Sequence, residues 1–330
     1  MSPPQSTWSH WQPLPGNWAP TAAVLAETLD GGQAFRWQQD QQEIWTGVWA
    51  DCVAQLRLSD GWLEWRAPEA IQQRVAKSLP HYLGLDADWP SHTDALPWRS
   101  DAHLGKCLAA FPDLRILRQP FGETLLGFLC SATKQIVQIK QMVALLAERH
   151  GSPIGWYAAS LGFEALAKEV GRVQSASGTP RSTVAASTDD VPTYSRLPTW
   201  SELASIPEDK LRACQLGFRA KYIHETAQFL EKHPGWLDET ERLPYAAAKA
   251  RLVELPGVGE KVADCVLLFG AGKLEAFPVD TWILKALARR YQLEGWKPAQ
   301  VAQFGRAHFG PLAGYAQQFL FSWERKFGER

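Results

Sequence analysis

One stretch, from Leu255 to Cys265, constrains the fold of this chain more than any other, and it reads Leu-Pro-Gly-Val-Gly-Glu-Lys-Val-Ala-Asp-Cys. The segment before it, residues 245–253, is rich in Ala, Leu and Arg, which are strong helix formers. After it, residues 261–269 place apolar side chains at helical spacing. Because a proline and two glycines interrupt a helix and permit a tight turn, we expect two helices joined by a short hairpin.

The hairpin residues Gly257, Val258 and Gly259 predict a phosphate-binding site. The first N–H groups of a helix have no partner within the helix, so those of the second helix are available to a ligand. Glycine lets another backbone approach without obstruction by a Cβ atom, and the positive end of a helix favours an anion.

Two reactive side chains flank this hairpin. Lys261 lies in the first turn of the second helix, where the macrodipole favours the neutral amine, and a neutral amine is a nucleophile. Cys265 shares its helical face, and Asp280, which opens the next helix, follows 19 positions after the lysine. From the residues alone, two interpretations stay open. The pair is catalytic, or Lys261 contacts phosphate and Asp280 caps a helix in a binding module.

The run Leu-Pro-Gly-Val-Gly-x-Lys-Val-Ala-Asp-Cys, followed by Pro-Val-Asp, resembles the helix-hairpin-helix superfamily of base-excision DNA glycosylases, and closely the 8-oxoguanine DNA glycosylase/AP lyases. Branches that only hydrolyse the glycosidic bond lack the lysine. The resemblance implies that Lys261 is the nucleophile of a glycosylase with AP lyase activity and that Asp280 is its catalytic carboxylate. It implies chemistry that needs no metal and no organic cofactor.

The same resemblance implies a pocket for a base flipped out of DNA. Residues 32–37, Gly-Gln-Ala-Phe-Arg-Trp, are similar to an element whose glycine carbonyl accepts the N7 hydrogen that oxidised guanine has and guanine lacks. Taken by itself, this glycine is a turn residue. On the last helix, the family's glutamine reads the base edge and its phenylalanine stacks on the base. The pocket residues implied are Gly32, Cys265, Pro278, Gln317 and Phe321.

Residues 216–222 resemble the element whose aromatic ring wedges into the duplex and whose arginine fills the space left by the base, here Phe218 and Arg219. At the positions that would contact the DNA strand opposite the lesion, the sequence departs from the family. Thr133 stands where the family has asparagine, and Gln138 stands for the arginine that reads the opposite cytosine. Trp282 replaces a frequent histidine. Because glutamine cannot form a charged bidentate fork, we expect relaxed specificity for the opposite base.

The order of elements predicts an α+β, mostly helical fold with an N-terminal antiparallel β-sheet. The expected organisation is an irregular N-terminus over 1–13, a β subdomain over 14–100 and a helical region over 101–330, with a flexible insertion at 171–193, the helix-hairpin-helix at 244–282 and the C-terminal helix at 311–326. Strands are expected at 33–37, 44–49, 52–58 and 62–65. Further helices are expected at 71–83, 103–111, 121–150, 156–168, 200–206, 208–216 and 221–232.

Charge and cysteine content bound the function further. The net charge is −1, but residues 1–100 hold 6 Lys and Arg against 11 Asp and Glu, whereas residues 251–330 hold 11 against 8, so a polyanion should prefer the C-terminal part. Five widely spaced cysteines indicate reduced thiols, and without a Cys-x-x-Cys they exclude an iron–sulfur loop and a zinc site. No signal peptide or transmembrane run occurs, so we expect a soluble, intracellular, DNA-associated protein.

The expected partner is double-stranded DNA that carries a damaged purine, bound by a monomer with no membrane contact. Two alternatives remain. One is a glycosylase of the same chemistry that acts on another damaged purine, and the other is a non-catalytic protein that binds damaged DNA. The joint presence of Lys261 and Asp280 argues against the second.

Overall fold

The computed structural model describes residues 8–154 and 194–328, and the predicted helix at 156–168 and insertion at 171–193 lie outside these residues. The N-terminal part holds one antiparallel sheet in the spatial order β1-β5-β4-β3-β2. Its strands are β1 (Gln12–Pro13), β2 (Trp37–Gln39), β3 (Trp45–Trp49), β4 (Cys52–Ser59) and β5 (Trp62–Arg66). The predicted α+β, mostly helical class with an N-terminal sheet is confirmed.

Fifteen α-helices lie within the described part of the chain. In order they are α1 (Ala22–Asp30), α2 (Gln72–Tyr82), α3 (Trp89–Ala95), α4 (Ala102–Ala110), α5 (Phe121–Leu129), α6 (Ile136–His150), α7 (Trp200–Ser205), α8 (Glu208–Leu211), α9 (Arg219–Lys232), α10 (Trp236–Arg242), α11 (Tyr245–Leu252), α12 (Glu260–Phe269), α13 (Thr281–Tyr291), α14 (Pro298–Phe309) and α15 (Ala313–Phe327). Short 3-10 turns precede α2 and α15.

Two hydrophobic clusters organise these elements. One lies between the sheet and the helices α1 and α2, and it is built from tryptophans that alternate along the strands, such as Trp37 and Trp45. The larger cluster lies among the helices, with α5 and α12 at its centre. Ala34 belongs to the first cluster and Phe35 to the second, so the loop before β2 lies where the two meet.

Three predicted elements differ from the structure. The strand expected at 33–37 begins only at Trp37, because Gly32 has a φ of +99° and the residues around it form bends. The helix expected at 121–150 is two helices, since Thr133 has a φ of +55°, which helical backbone does not allow. Similarly, α8 stops at Leu211 and a π-type turn follows, in which Gln215 has a φ of +62°.

The N-terminal residues also differ from the irregular segment that was expected, as far as the structure describes them. Gln12 and Pro13 pair with β5 as an edge strand, and Trp8 forms an isolated bridge with Pro68. The hairpin helices were predicted to within one residue, as α11 and α12 show.

Candidate active site

The hairpin between α11 and α12 lies against α9. Gly257 has a φ of +77°, and a Cβ atom on it would lie 2.7 Å from the ring of Tyr222. Thr226 Oγ1 donates a hydrogen bond to the carbonyl of Pro256 at 3.3 Å. These contacts explain the need for glycine here, since any larger side chain would push the hairpin away from α9.

The N-terminus of α12 is open to a ligand. Its N-cap residue, Gly259, offers no side chain to the first N–H groups, and a Cβ atom on it would have open space within 4 Å. Val258 is buried and anchors the turn in the helical core. N–H groups at an exposed helix start that no described side chain caps suit a phosphate, and the phosphate site itself stays a prediction.

Asp264, one turn along α12, ties this helix to α11. Its carboxylate accepts hydrogen bonds from Tyr245 OH at 2.7 Å and from Lys249 Nζ at 3.0 Å, and Lys249 also pairs with the exposed Glu260 at 2.6 Å. Asp264 is only 1% exposed, and this burial raises its pKa, while the Lys249 charge lowers it. The network fixes the angle between the two hairpin helices.

Lys261 is half-buried, and its amine lies beside groups that do not carry a negative charge. Its Nζ donates to Ser131 Oγ at 3.2 Å and lies 5.2 Å from the centroid of the Phe128 ring. No carboxylate of the described residues lies within 4 Å of this Nζ. Cys265 lies on the same face of α12, and burial raises the pKa of its thiol to about 12, so the thiol stays protonated at neutral pH.

Asp280 is the N-cap of α13, where its Oδ1 accepts from the Ile283 N–H at 2.8 Å. Helix-end bonding and the charge of Lys261 both lower the pKa of this carboxyl, but burial outweighs them and raises it. The sequence had suggested only stabilisation of the anion by the helix. The neighbouring Pro278 is buried. The structure therefore holds a half-buried carboxyl whose pKa is raised by burial and lowered by the charge of Lys261.

Gly32 and Phe321 come together from opposite ends of the chain. A Cβ atom on Gly32 would lie 3.6 Å from the Phe321 ring and 3.2 Å from Ile136 Cδ1. Gln317, one turn before Phe321 on α15, is 4% exposed, and its Oε1 has no hydrogen-bond partner among the described residues. A buried acceptor without a partner is costly, so this amide suits a ligand that donates hydrogen bonds.

The loop between α5 and α6 and the start of α9 form a second feature. Phe218 is 51% exposed, and the guanidinium of Arg219 lies 4.4 Å from the centre of its ring. Arg219 itself is buried, and it donates to the carbonyls of Leu216 and Ala132 and to Thr133 Oγ1. It therefore joins the two loops instead of projecting into solvent.

The remaining predicted DNA contacts lie on exposed positions. Thr133 and Gln138 are both exposed, although Gln138 Oε1 accepts from the Gln135 N–H at 3.3 Å and so caps α6. Trp282 is 38% exposed in the first turn of α13. Gln138 must give up or share its capping bond before it can reach a base.

Several supporting residues were not found from the sequence. Ser131 is one of them, because its contact with Lys261 spans 130 positions and no local pattern indicates it. The pairing of Asp264 with Lys249 could have been suspected, because a charged residue stood on an apolar helix face. Gln33, which is fully buried beside Gly32, was read only as part of a resemblance.

Within residues 8–154 and 194–328, no three His, Cys, Asp or Glu side chains are grouped closely enough to hold a metal ion. All five cysteines are buried free thiols. No helix among the described residues is long and apolar enough to cross a membrane.

Two family models match this chain. Residues 18–125 match the N-terminal domain of 8-oxoguanine DNA glycosylase, and residues 162–308 match the HhH-GPD superfamily of base excision DNA repair proteins. The second match spans the hairpin, Lys261 and Asp280. Fold and site together thus define a helix-hairpin-helix base-excision repair protein.

Individual relatives agree with both models. A probable N-glycosylase/DNA lyase of Methanothermobacter thermautotrophicus is 39% identical over 36% of this chain and 38% of its own length. An N-glycosylase/DNA lyase of Arabidopsis thaliana is 27% identical over 91% of this chain and 77% of that protein. The Clostridium acetobutylicum 8-oxoguanine glycosylase/lyase, solved with DNA containing cytosine opposite 8-oxoguanine, superposes with a TM-score of 0.75 at 27% identity, over 92% of this chain and 91% of that one. The chain belongs to this family of bifunctional 8-oxoguanine DNA glycosylase/lyases.

Proposed function

We propose that this protein excises 8-oxoguanine from duplex DNA and then cleaves the strand, with Lys261 as the nucleophile. The observation that carries the proposal is the setting of Lys261, a half-buried amine that contacts a hydroxyl and an aromatic ring, with the half-buried carboxyl of Asp280 near enough for the lysine charge to lower its pKa. A lysine held for stability alone would normally pair with a carboxylate, as Lys249 does in the same hairpin.

The damaged base would lie in a pocket formed by Gly32, Cys265, Pro278, Gln317 and Phe321. The Gly32 carbonyl would accept the N7 hydrogen of the oxidised base, and Gln317 Oε1, which has no hydrogen-bond partner in the described part of the chain, would accept from its Watson–Crick edge. Because the Phe321 ring lies against Gly32, the ring has to move for the base to enter. It then stacks on the base, and the neutral Cys265 thiol packs on the other face.

In the chemical step, Lys261 Nζ attacks C1′, and the bond from C1′ to the base nitrogen breaks with its electron pair leaving on the base. Asp280 stabilises the positive charge that develops on the sugar and assists proton transfer to and from the reacting groups. The attached amine gives up one proton, which passes by way of Asp280 to O4′ as the C1′–O4′ bond breaks and the sugar ring opens, so Nζ and C1′ are left joined as a protonated Schiff base. This cation acidifies C2′, and loss of that proton expels the 3′ phosphate by β-elimination.

The DNA backbone would be held by the hairpin residues Gly257, Val258 and Gly259 and by the N-terminus of α12. Trp282 would offer its ring at the start of α13. Phe218, exposed at the start of α9, would wedge into the duplex, while Arg219 would support the wedge from behind.

On the opposite strand, Thr133 and Gln138 would face the partner base. Neither can form the charged fork that reads cytosine, so we propose that excision depends only weakly on the opposite base. The protein would act as a monomer on DNA inside the cell. The domain division at residue 100 is part of the same proposal.

The test is borohydride trapping on a duplex that carries 8-oxoguanine opposite each of the four normal bases. Wild type should form a covalent adduct that Lys261→Gln abolishes. Lys77→Gln, the same exchange at an exposed position of α2, should leave trapping unchanged. Rates within about tenfold of each other across the four partners would fit the relaxed specificity.

Other outcomes would redirect the assignment. An adduct that forms on duplexes with a different damaged purine but never with 8-oxoguanine would refute the substrate and keep the lysine mechanism. Tight binding to damaged DNA with no adduct on any duplex would refute the enzyme mechanism and favour a binding role. An adduct that survives Lys261→Gln would refute the assignment of the nucleophile.

A further inference from the structure

The loop that carries Gly32 is held by an unusually complete set of hydrogen bonds. The side chain of Gln33 is fully buried, its Nε2 donates to the carbonyl of Arg115 at 2.8 Å, and its Oε1 accepts from the Leu117 N–H at 3.0 Å. Gln119 Nε2 then donates to the main-chain carbonyl of Gln33 at 2.7 Å. Both the side chain and the backbone of Gln33 are therefore fixed.

These bonds fix the direction of the Gly32 carbonyl. That carbonyl belongs to the peptide between Gly32 and Gln33, and a peptide is planar, so locking Gln33 on both sides limits rotation of this plane. Glycine at a φ of +99° has no side chain to restrain it, and without external bonds this peptide would be free to turn. The restraint has to come from Gln33 and its partners.

Gln119 also connects the Gly32 loop to the helix that carries the nucleophile. The main-chain N–H of Gln119 donates to the carbonyl of Phe269 at 2.8 Å, and Phe269 is the last residue of α12, the helix that carries Lys261. Gln119 thus bonds the loop of Gly32 with its side chain and the end of α12 with its backbone. Gln119 therefore links the Gly32 loop to the helix that carries Lys261.

We infer that Gln33 and Gln119 are positioning residues that determine how well the site distinguishes 8-oxoguanine from guanine. The inference rests on the proposed function, because the Gly32 carbonyl must be the group that reads N7. Neither glutamine touches the DNA. They act by holding the carbonyl where the N7 hydrogen of the lesion arrives, and a carbonyl that can turn away loses that selectivity while the lysine keeps its chemistry.

The test compares two substrates of one enzyme, namely a duplex with 8-oxoguanine opposite cytosine and a duplex with a single abasic site. Gln119→Met removes the donor with little change in size and leaves the backbone bond to Phe269 in place. We expect single-turnover excision of 8-oxoguanine to fall about tenfold, as the loss of one aligned hydrogen bond predicts, with abasic-site cleavage within about twofold of wild type. Gln303→Met, the same exchange at an exposed position of α14, should change neither rate.

A second variant keeps the test decisive if Gln119→Met unfolds. Gln119→Glu places a carboxylate against the Gln33 carbonyl at neutral pH, and only its protonated form can donate a hydrogen bond. Its excision rate relative to its own abasic-site cleavage should therefore recover towards the wild-type ratio as the pH falls, whereas a general structural defect would change both activities together.

The outcomes separate the two proposals. Equal losses of excision and abasic-site cleavage in Gln119→Met, or no loss of either, together with a flat pH ratio in Gln119→Glu, would overturn the positioning role alone. A wild-type protein that cleaves abasic sites but never excises 8-oxoguanine would overturn the proposed substrate, and the positioning role with it.

Discussion

Replacing Asp264 by asparagine tests how the hairpin is held in place. The carboxylate is 1% exposed and pairs with Lys249 at 3.0 Å and Tyr245 at 2.7 Å. Removing one partner from a buried ion pair costs about 3–5 kcal/mol. Asp264→Asn keeps an acceptor for Tyr245, so we expect a loss at or just below the bottom of this range, about 2–3 kcal/mol of unfolding free energy.

The assay is urea unfolding of wild type, Asp264→Asn and the control Glu260→Gln at neutral pH. Glu260 pairs with the same Lys249 at 2.6 Å, but its side chain is 71% exposed, so its loss should cost about 0.5 kcal/mol or less. Equal losses in the two variants would refute the argument that burial makes the Asp264 pair strong. Because the network sets the hairpin angle, Asp264→Asn should also weaken binding to undamaged duplex DNA, whereas Glu260→Gln, which removes a negative charge beside the hairpin, should not.

Three further predictions concern the site and its surroundings. Ser131→Ala removes a hydroxyl that accepts a hydrogen bond from Lys261 Nζ, and trapping on abasic DNA should slow about tenfold with little change in stability, whereas unchanged trapping would rule out a positioning role for this hydroxyl. Gly257→Ala, with a φ of +77° and a Cβ 2.7 Å from Tyr222, should cost about 1–3 kcal/mol in thermal unfolding and weaken DNA binding measured by fluorescence anisotropy. A hydrogen bond from a neighbouring arginine lowers the pKa of Glu202 from 4.5 to about 2, so its contribution to stability is present above pH 4.5 and is lost as the pH falls towards 2. Since this side chain is 39% exposed, the advantage of wild type over Glu202→Gln should be below about 1 kcal/mol at neutral pH and should vanish in acid unfolding near pH 2.

The sequence predicted those elements whose signals are local. The hairpin helices were predicted to within one residue because proline and glycine mark their ends, and Asp280 was correctly expected to open a helix. The break between α5 and α6 was missed, because the run from Cys130 to Gln135 contains neither proline nor glycine. There Thr133 takes a positive φ, and its hydroxyl accepts a hydrogen bond from Arg219, which lies 86 positions away in the sequence.

The site shows the same limit. Sequence patterns report neighbours three or four positions apart on a helix, so the shared face of Lys261 and Cys265 could be predicted. The bond from Lys261 to Ser131 spans 130 positions, and the bond from Gln119 to Gln33 spans 86. Such contacts depend on how whole helices pack, and no local pattern encodes them. Burial raises the pKa of Asp280, although the hydrogen bonds at the start of its helix lower it. This burial was missed for the same reason.

The two hydrophobic clusters place recognition and chemistry on different supports. Ala34, just after the Gly32 loop, packs in the sheet cluster, whereas Lys261 belongs to a helix whose buried face fills the helical cluster. A cavity opened in the sheet cluster, for example by Trp37→Leu, would therefore act first on the position of Gly32. One opened under α12 would act first on the lysine. Protein interiors are close-packed and transmit strain. Because Gln119 is hydrogen-bonded both to the Gly32 loop and to the end of α12, it is the residue through which a change at one group would affect the other. Mutations in the two clusters should thus separate lesion selectivity from strand cleavage. Changes at Gln119 should alter the ratio of the two activities without opening a cavity in either cluster.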